Sequence, residues 1–439
     1  MDEFNRKDNR IMETGSQFKV RIVSVINVLL YIFLFTVSLS PLFSYIFKVT
    51  SIHLIFASMI LLISISLIIS RRQIQFNNTI TCILIYTILV SVNLVIGYSS
   101  LGLFFQALIY RLLYPIIFMF YFSVLNNRDT YNKLGYNFIK VININTIIIC
   151  FFGLVEKVNP SFIYKLYGNN LTTHLTLILN NEVNSRLVSL SGNPINLGFY
   201  MVIGISSSII LILLNWNVSK GKVLFQSVMI FLFSYIIFYT YSRSAILLAG
   251  TVIVTLVMIL LKNVKLTNKV IVLCVLIIVF TFSYQKIIEI DSINSRLSTM
   301  NITTYFQNTR FNRAYVGFSE GTNILQLLFG HGISQMNSSN AYVFELGYAS
   351  MMYETGVISL IVVIFTFFKG IILGIRINKN IINTHEKYIN AFFISIIVSG
   401  IVGLFTQDIY MQLPYSALIW FSTLYLIFKE KSINNIIEE

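Results

Sequence analysis

Apolar runs about twenty residues long follow one another along almost the whole chain, separated by short polar breaks, and few folds accept such a pattern. A bilayer core about 30 Å thick takes about that length of α-helix. We place spans at 22–40, 51–70, 79–98, 102–124, 138–155, 195–215, 223–241, 244–262, 270–285, 349–369, 388–406 and 414–429, twelve in all. The expected fold is an all-α polytopic membrane protein, one integral membrane domain over residues 1–439, with a large folded extracytoplasmic loop late in the chain.

Only 11% of the residues are charged, against about 25% in soluble domains. The net charge of +14 raises the possibility of nucleic acid, but the lysines and arginines sit at the ends of apolar runs, not in one basic stripe, so no nucleic-acid partner is expected. Cys82, Cys150 and Cys274 each lie inside an apolar run without metal or disulfide spacing. The polar stretch before Ile22 leads into an apolar run with no small-residue cleavage site behind it, which predicts a retained first span. No fixed-period repeat is present.

Charge sets the expected orientation. With the N-terminus inside, 21 of the 31 lysines and arginines fall on the cytoplasmic side, nine on the outer side, and Arg111 within a span. The outer segments are the longer ones yet hold fewer cations, so both termini are expected to be cytoplasmic.

Two outer segments are then large, at about 156–194 and 286–348. The later one carries Phe306, Phe311, Tyr315, Phe318, Leu327, Leu328, Phe329, Tyr342 and Phe344, too many apolar groups to stay solvated, and it reads as a folded cap over a membrane cavity. It also carries Arg296, Arg310, Arg313 and His331, the last between Gly330 and Gly332. The earlier one is rich in Asn, Ser, Thr and Tyr, which bond sugar hydroxyls but are also ordinary turn formers.

Arg111 stands inside the fourth span, where an arginine costs at least about 2.5 kcal/mol to insert and so faces either a wet cavity or a partner, a helix carbonyl or a carboxylate such as Asp408. Arg243, in the tight connection FYTYSRSAILLAG, stands at the outer membrane face, as a ligand group or as a snorkelling side chain. Arg186 precedes Gly192, Asn193 and Pro194, a turn that starts the sixth span and whose free N–H groups favour anions. Five guanidinium groups, Arg186, Arg243, Arg296, Arg310 and Arg313, are therefore expected on the face where cations are scarce. Their planar forks suit phosphate.

Three blocks resemble the O-antigen polymerase and ligase superfamily, membrane glycosyltransferases that act on undecaprenyl-diphosphate-linked glycans. They are Arg186 with SGNPINLGFY; TYSRSAILLAG from Thr240 to Gly250; and LLFGHGIS followed by ELGYASMMYETGVISL. The match runs from about Arg186 to Leu360, and the first half of the chain agrees only in hydropathy. Glu345, where ligases of this type carry a histidine, is more similar to the polymerase branch, although Asn340 to Tyr342 offers a competing register.

The resemblance implies a polymerase that joins lipid-linked repeat units into a surface polysaccharide, O-antigen or capsule, in the bacterial plasma membrane. Its substrates would be undecaprenyl-diphosphate-linked oligosaccharides in the lipid bilayer, and a flippase and a chain-length regulator its partners. The diphosphate leaving group calls for preorganised cations, and the attacking hydroxyl for a base. Arg186, Arg243 and Arg310, then Arg296 and Arg313, are the expected diphosphate ligands. Glu345, then His331, are the expected bases, with Arg111, His174 and Tyr348 at the substrate. His331 could equally cap a turn, and Glu354 is read as bonding backbone at the start of the tenth span. No cofactor and no metal are expected. The alternatives are a ligase that moves the glycan to another acceptor, and a polysaccharide flippase or transporter.

Overall fold

The computed structural model describes residues 22–39, 42–43, 46, 52–71, 78–96, 108–125, 128–167, 186–191, 193–240, 242–260, 318, 323–332, 346–406 and 415–438. These form helices and turns, with no strand among the described residues. In chain order the helices are α1 (22–38), α2 (Ile52–Arg71), α3 (Asn78–Ile96), a π-helical turn Leu108–Leu113, α4 (Tyr114–Val124), α5 (Arg128–Val158) and α6 (Pro160–Tyr167). They continue with α7 (Pro194–Asn215), α8 (Lys220–Tyr239), α9 (Arg243–Leu260), α10 (Ile324–Phe329), α11 (Gly347–Asn380), α12 (Thr384–Leu404) and α13 (Tyr415–Glu438).

Six of these, α2, α5, α7, α8, α11 and α12, are long and apolar enough to cross a membrane. Residues 22–38, 80–96, 111–124 and 244–260 are shorter apolar helices. The predicted span 270–285 and most of the loop 286–348 lie outside the described residues.

Several helices outrun the apolar stretches that announce them. α5 begins ten residues before the predicted span at 138, because Arg128, Asp129 and Lys133 are helix-competent residues that extend past the apolar part. The span expected as one helix over 102–124 is described from Leu108 and enters through a π-helical turn. Pro115 has no N–H to give the Arg111 carbonyl and its ring crowds that carbonyl, and a wider turn relieves both problems. Arg111 therefore sits in an irregular turn, not at a helix centre.

The middle of the bundle is α7, α12 and α13, with α2 and α8 toward the outside. Phe138 stacks on Phe421 at 4.0 Å, and Phe393 lies 4.1 Å from Tyr425, so α5, α12 and α13 share one aromatic layer. Gly198 and Gly204 let α7 approach its neighbours closely: a Cβ at Gly198 would meet Ala245, and one at Gly204 would press on Phe233. Buried polar side chains bond across helices. Asn143 donates to Ser207 and Ser208 at 3.0 and 2.9 Å and accepts from Gln226 at 3.0 Å, and Ser206 meets Ser395 at 3.0 Å.

The contacts sort the helix ends into two levels. At one, Arg128 and Lys429 hold Glu386, Asn390 bonds Asn378, and Tyr121 bonds Asn27. At the other, Val188 and Ser189 bond Glu156, Tyr348 bonds Ile401, and Asn93 bonds Phe329. Asn132 belongs to the first level and Glu156 to the second. The 24 residues of α5 between them rise about 36 Å, slightly more than a bilayer core. We refer to these levels as the lysine end and the rim.

Candidate functional site

The candidate site is assembled at the rim from two groups of residues. The first is built around Glu156, in the last turn of α5 and only 2% exposed. Its Oε2 accepts from the backbone N–H of Val188 at 2.9 Å and of Ser189 at 2.6 Å. Ser189 has a φ of 48°, a left-handed conformation uncommon outside glycine, and its hydroxyl donates to the Ile149 carbonyl at 2.6 Å. The carboxylate and that hydroxyl hold the strained turn against α5.

Arg186 lies three residues before Ser189 and is half-buried. Its Nε donates to the Thr240 carbonyl at 2.8 Å, and the next N–H, of Leu187, donates to the Tyr239 carbonyl at 3.1 Å. Thr240 opens the element that continues through Ser242 into Arg243, the first residue of α9. Two of the three blocks are therefore in contact. The expected start of the sixth span is also present: Asn193 caps α7 by accepting from Ile195 N at 2.8 Å, with Pro194 as the first helical residue.

The second group joins the two halves of the third block. Gly356 interrupts α11 with φ 83° and ψ 164°, a conformation open to glycine. Two carbonyls just before the break accept from outside the helix: His331 N donates to Tyr353 O at 2.8 Å and Gly332 N to Glu354 O at 3.2 Å. Gly330, with φ 95°, passes so close to the Glu354 carbonyl that a Cβ there would collide with it, and a Cβ at Gly356 would collide with the Leu328 carbonyl. The His331 ring stacks on Tyr353 at 4.0 Å, with interplanar angle 8°. Partial burial of the imidazole lowers its pKa below the usual 6.5, opposed by the contact with the Tyr353 carbonyl, so the ring is held mainly neutral near pH 7.

Arg111 belongs with this group. It is completely buried, ion-paired to Glu354 and 3.4 Å from the Ser350 hydroxyl. Of the two environments expected for it, a wet cavity or a partner, the structure shows a partner, the carboxylate of Glu354; Asp408, the carboxylate named for that role, lies outside the described residues. Glu354 was expected to bond backbone at a helix start. Instead it stands eight residues into α11, because the helix begins at Gly347.

Tyr348 bonds the Ile401 carbonyl at 2.9 Å and packs on Phe405 at 4.3 Å, which ties α11 to the end of α12. Arg186, His331, Tyr348 and Arg111 are thus all at or near the rim. Glu345, His174, Arg296, Arg310 and Arg313 lie outside the described residues. Glu156 was not anticipated. In sequence it is one acid at the boundary of a loop, and only the fold brings it to residues 188–189.

No protein-family model matches the chain, and no curated protein matches it. Fold and site together define a helical membrane protein with buried charge pairs at both ends of its bundle.

Proposed function

We propose that the chain is a membrane glycosyltransferase of the polymerase type, acting on undecaprenyl-diphosphate-linked oligosaccharides at the outer face of a bacterial plasma membrane. In this reading the rim is extracytoplasmic, both termini are cytoplasmic, twelve spans cross the bilayer, and residues 286–348 cap the site. The bond from Arg186 to the Thr240 carbonyl carries the reading. It joins two sequence blocks that were singled out separately, and it does so at the end of the bundle poor in lysine. The clasp of Gly330 to Gly332 against Tyr353 to Gly356 supports it in the same way.

The acceptor hydroxyl oxygen bonds to the anomeric carbon of a second lipid-linked chain as the bond from that carbon to the diphosphate breaks. The electron pair leaves with undecaprenyl diphosphate. The hydroxyl proton passes to a base, for which Glu345 and then His331 are the candidates. Negative charge grows on the diphosphate, so fixed guanidinium groups stabilise the transition state, each donor by about 10²- to 10³-fold in rate. Arg186, Arg243 and Arg310 are assigned that task, with Arg296 and Arg313 beside them.

The buried pair of Arg111 and Glu354 favours a second reading, a flippase of the polysaccharide-export type, since ionisable groups inside a helix bundle mark transport pathways. One experiment separates these readings. Arg186→Ala and Arg243→Ala variants, present in the membrane at wild-type level, are expressed in the producing cell, and the length of its surface polysaccharide is measured. Loss of long chains, with single repeats still exported and attached, is the polymerase outcome. Single repeats left unattached indicate a ligase, and repeats kept on the cytoplasmic face a flippase.

A further inference from the structure

We propose that α10 lies in the membrane interface at the rim, with Ile324, Leu325, Leu328 and Phe329 packed among the acyl chains of the bilayer. The inference stands apart from the catalytic reading, since it concerns only how this short helix meets lipid.

The sequence of α10 is ILQLLF, with no charged residue and none buried. Ile324 is 74% exposed, Leu325 63%, Phe329 47% and Leu328 38%, so four large apolar side chains within one and a half turns are left uncovered by the described residues. Water is a poor neighbour for such a surface.

Polar groups at both ends of α10, by contrast, are paired within the protein. Asn323 Oδ1 accepts from Gln326 N at 2.8 Å, and the Gln326 side chain accepts from Asn323 N at 3.1 Å, a reciprocal cap. At the other end Gly330 N donates to Gln326 O at 2.8 Å, and the Phe329 carbonyl accepts from Asn93 Nδ2 at 2.7 Å. A backbone that finds its partners inside the protein is what an apolar solvent requires.

Depth agrees with chemistry. Asn93, which holds the Phe329 carbonyl, stands three residues inside the end of α3, itself an apolar helix. Leu328 lies against Gly356, 22 residues along α11 from Asn378 at the lysine end, a rise of about 33 Å. That is the far boundary of a hydrocarbon core about 30 Å thick, where interfacial apolar side chains reach acyl chains.

The test uses a nitroxide label at Leu325→Cys in a full-length chain whose Cys82, Cys150 and Cys274 are replaced by Ala, reconstituted into phosphatidylcholine–phosphatidylglycerol vesicles. Labels at Phe231, exposed on the apolar α8, and at Lys220, exposed at the lysine end, serve as lipid and water references. The expected result is collision with oxygen, and loss of collision with an aqueous nickel chelate, to the level of the Phe231 label. Nickel access like that at Lys220 would overturn the proposal in favour of a solvated face. Shielding from both reagents would overturn it in favour of a protein cover. If the cysteine-free chain does not fold, Leu325→Trp in the native chain decides the matter. Quenching by bromine-labelled acyl chains beyond that of Trp216 and Trp420 is expected, and no added quenching overturns the proposal.

Discussion

Glu354 holds Arg111 with its carboxylate while its backbone carbonyl accepts from Gly332. One residue thus secures a buried cation on one side and the Gly330 to Gly332 turn on the other, beside the break at Gly356.

Removing one member of that pair takes a buried ion pair from the other. Glu354→Leu leaves a fully buried guanidinium without its carboxylate, and we expect a loss of about 3–5 kcal/mol, as for other broken buried pairs. The double variant Arg111→Met with Glu354→Leu is expected to regain most of that loss. Thermal unfolding in one detergent, across both single variants and the double, checks the order.

Gly356→Ala places a side chain in a left-handed conformation and against the Leu328 carbonyl, so the loss should exceed the roughly 1–3 kcal/mol of backbone strain alone. Its expected signature is local: faster hydrogen exchange at the amides of His331 and Gly332, with α5 and α12 unchanged.

The docked turn should loosen in acid. Burial lowers the His331 pKa beneath that of the free side chain, so the undocked form binds the proton more tightly. The contribution of the docked ring is complete above about pH 6.5 and is lost as pH falls through the lower, docked value. Hydrogen exchange at Gly332, corrected for its intrinsic pH dependence, is expected to speed up between pH 7 and pH 5 in the wild type but not in His331→Phe.

At the lysine end, Lys429 is completely buried. It touches Glu386 at 3.0 Å, Asn132 at 2.8 Å and Asn390 at 2.9 Å, so it joins α13 to α12 and α5. Lys429→Met is expected to cost about 3–5 kcal/mol, because Glu386 and two amide oxygens lose a donor together. Arg376→Ala, which breaks a pair whose arginine is 61% exposed, should cost less than about 1 kcal/mol. Melting temperatures of the two variants measured side by side give the comparison.

Among the described residues, the positions of the apolar helices were legible because hydropathy is local. The start of α7 could be read from Asn193 and Pro194, whose capping chemistry depends on neighbours a few residues away. The partners of charged residues were not legible. Arg111 announced that it needed a partner or a wet cavity, but Glu354 is remote in sequence and was read as a helix-start acid. Lys429 and Arg128 read as topology signals, and nothing near either in sequence reveals that both fold onto Glu386. Glu156 was missed for the same reason, since its partners are backbone N–H groups supplied by a strained turn. The glycines were visible as Gly-x-Gly and Glu-x-Gly, but their contact with each other depends on the break in α11.

Glu386 with Lys429 at one end and Glu156 at the other act as the two jaws of a caliper, about 36 Å apart along α5. Asp129 and Lys157, exposed on α5 just beyond the two jaws, cannot slide into hydrocarbon cheaply, so a membrane near that thickness should suit the protein best. In a thinner one it must tilt or pucker the lipid around it, at fractions of a kcal/mol for every ångström of misfit.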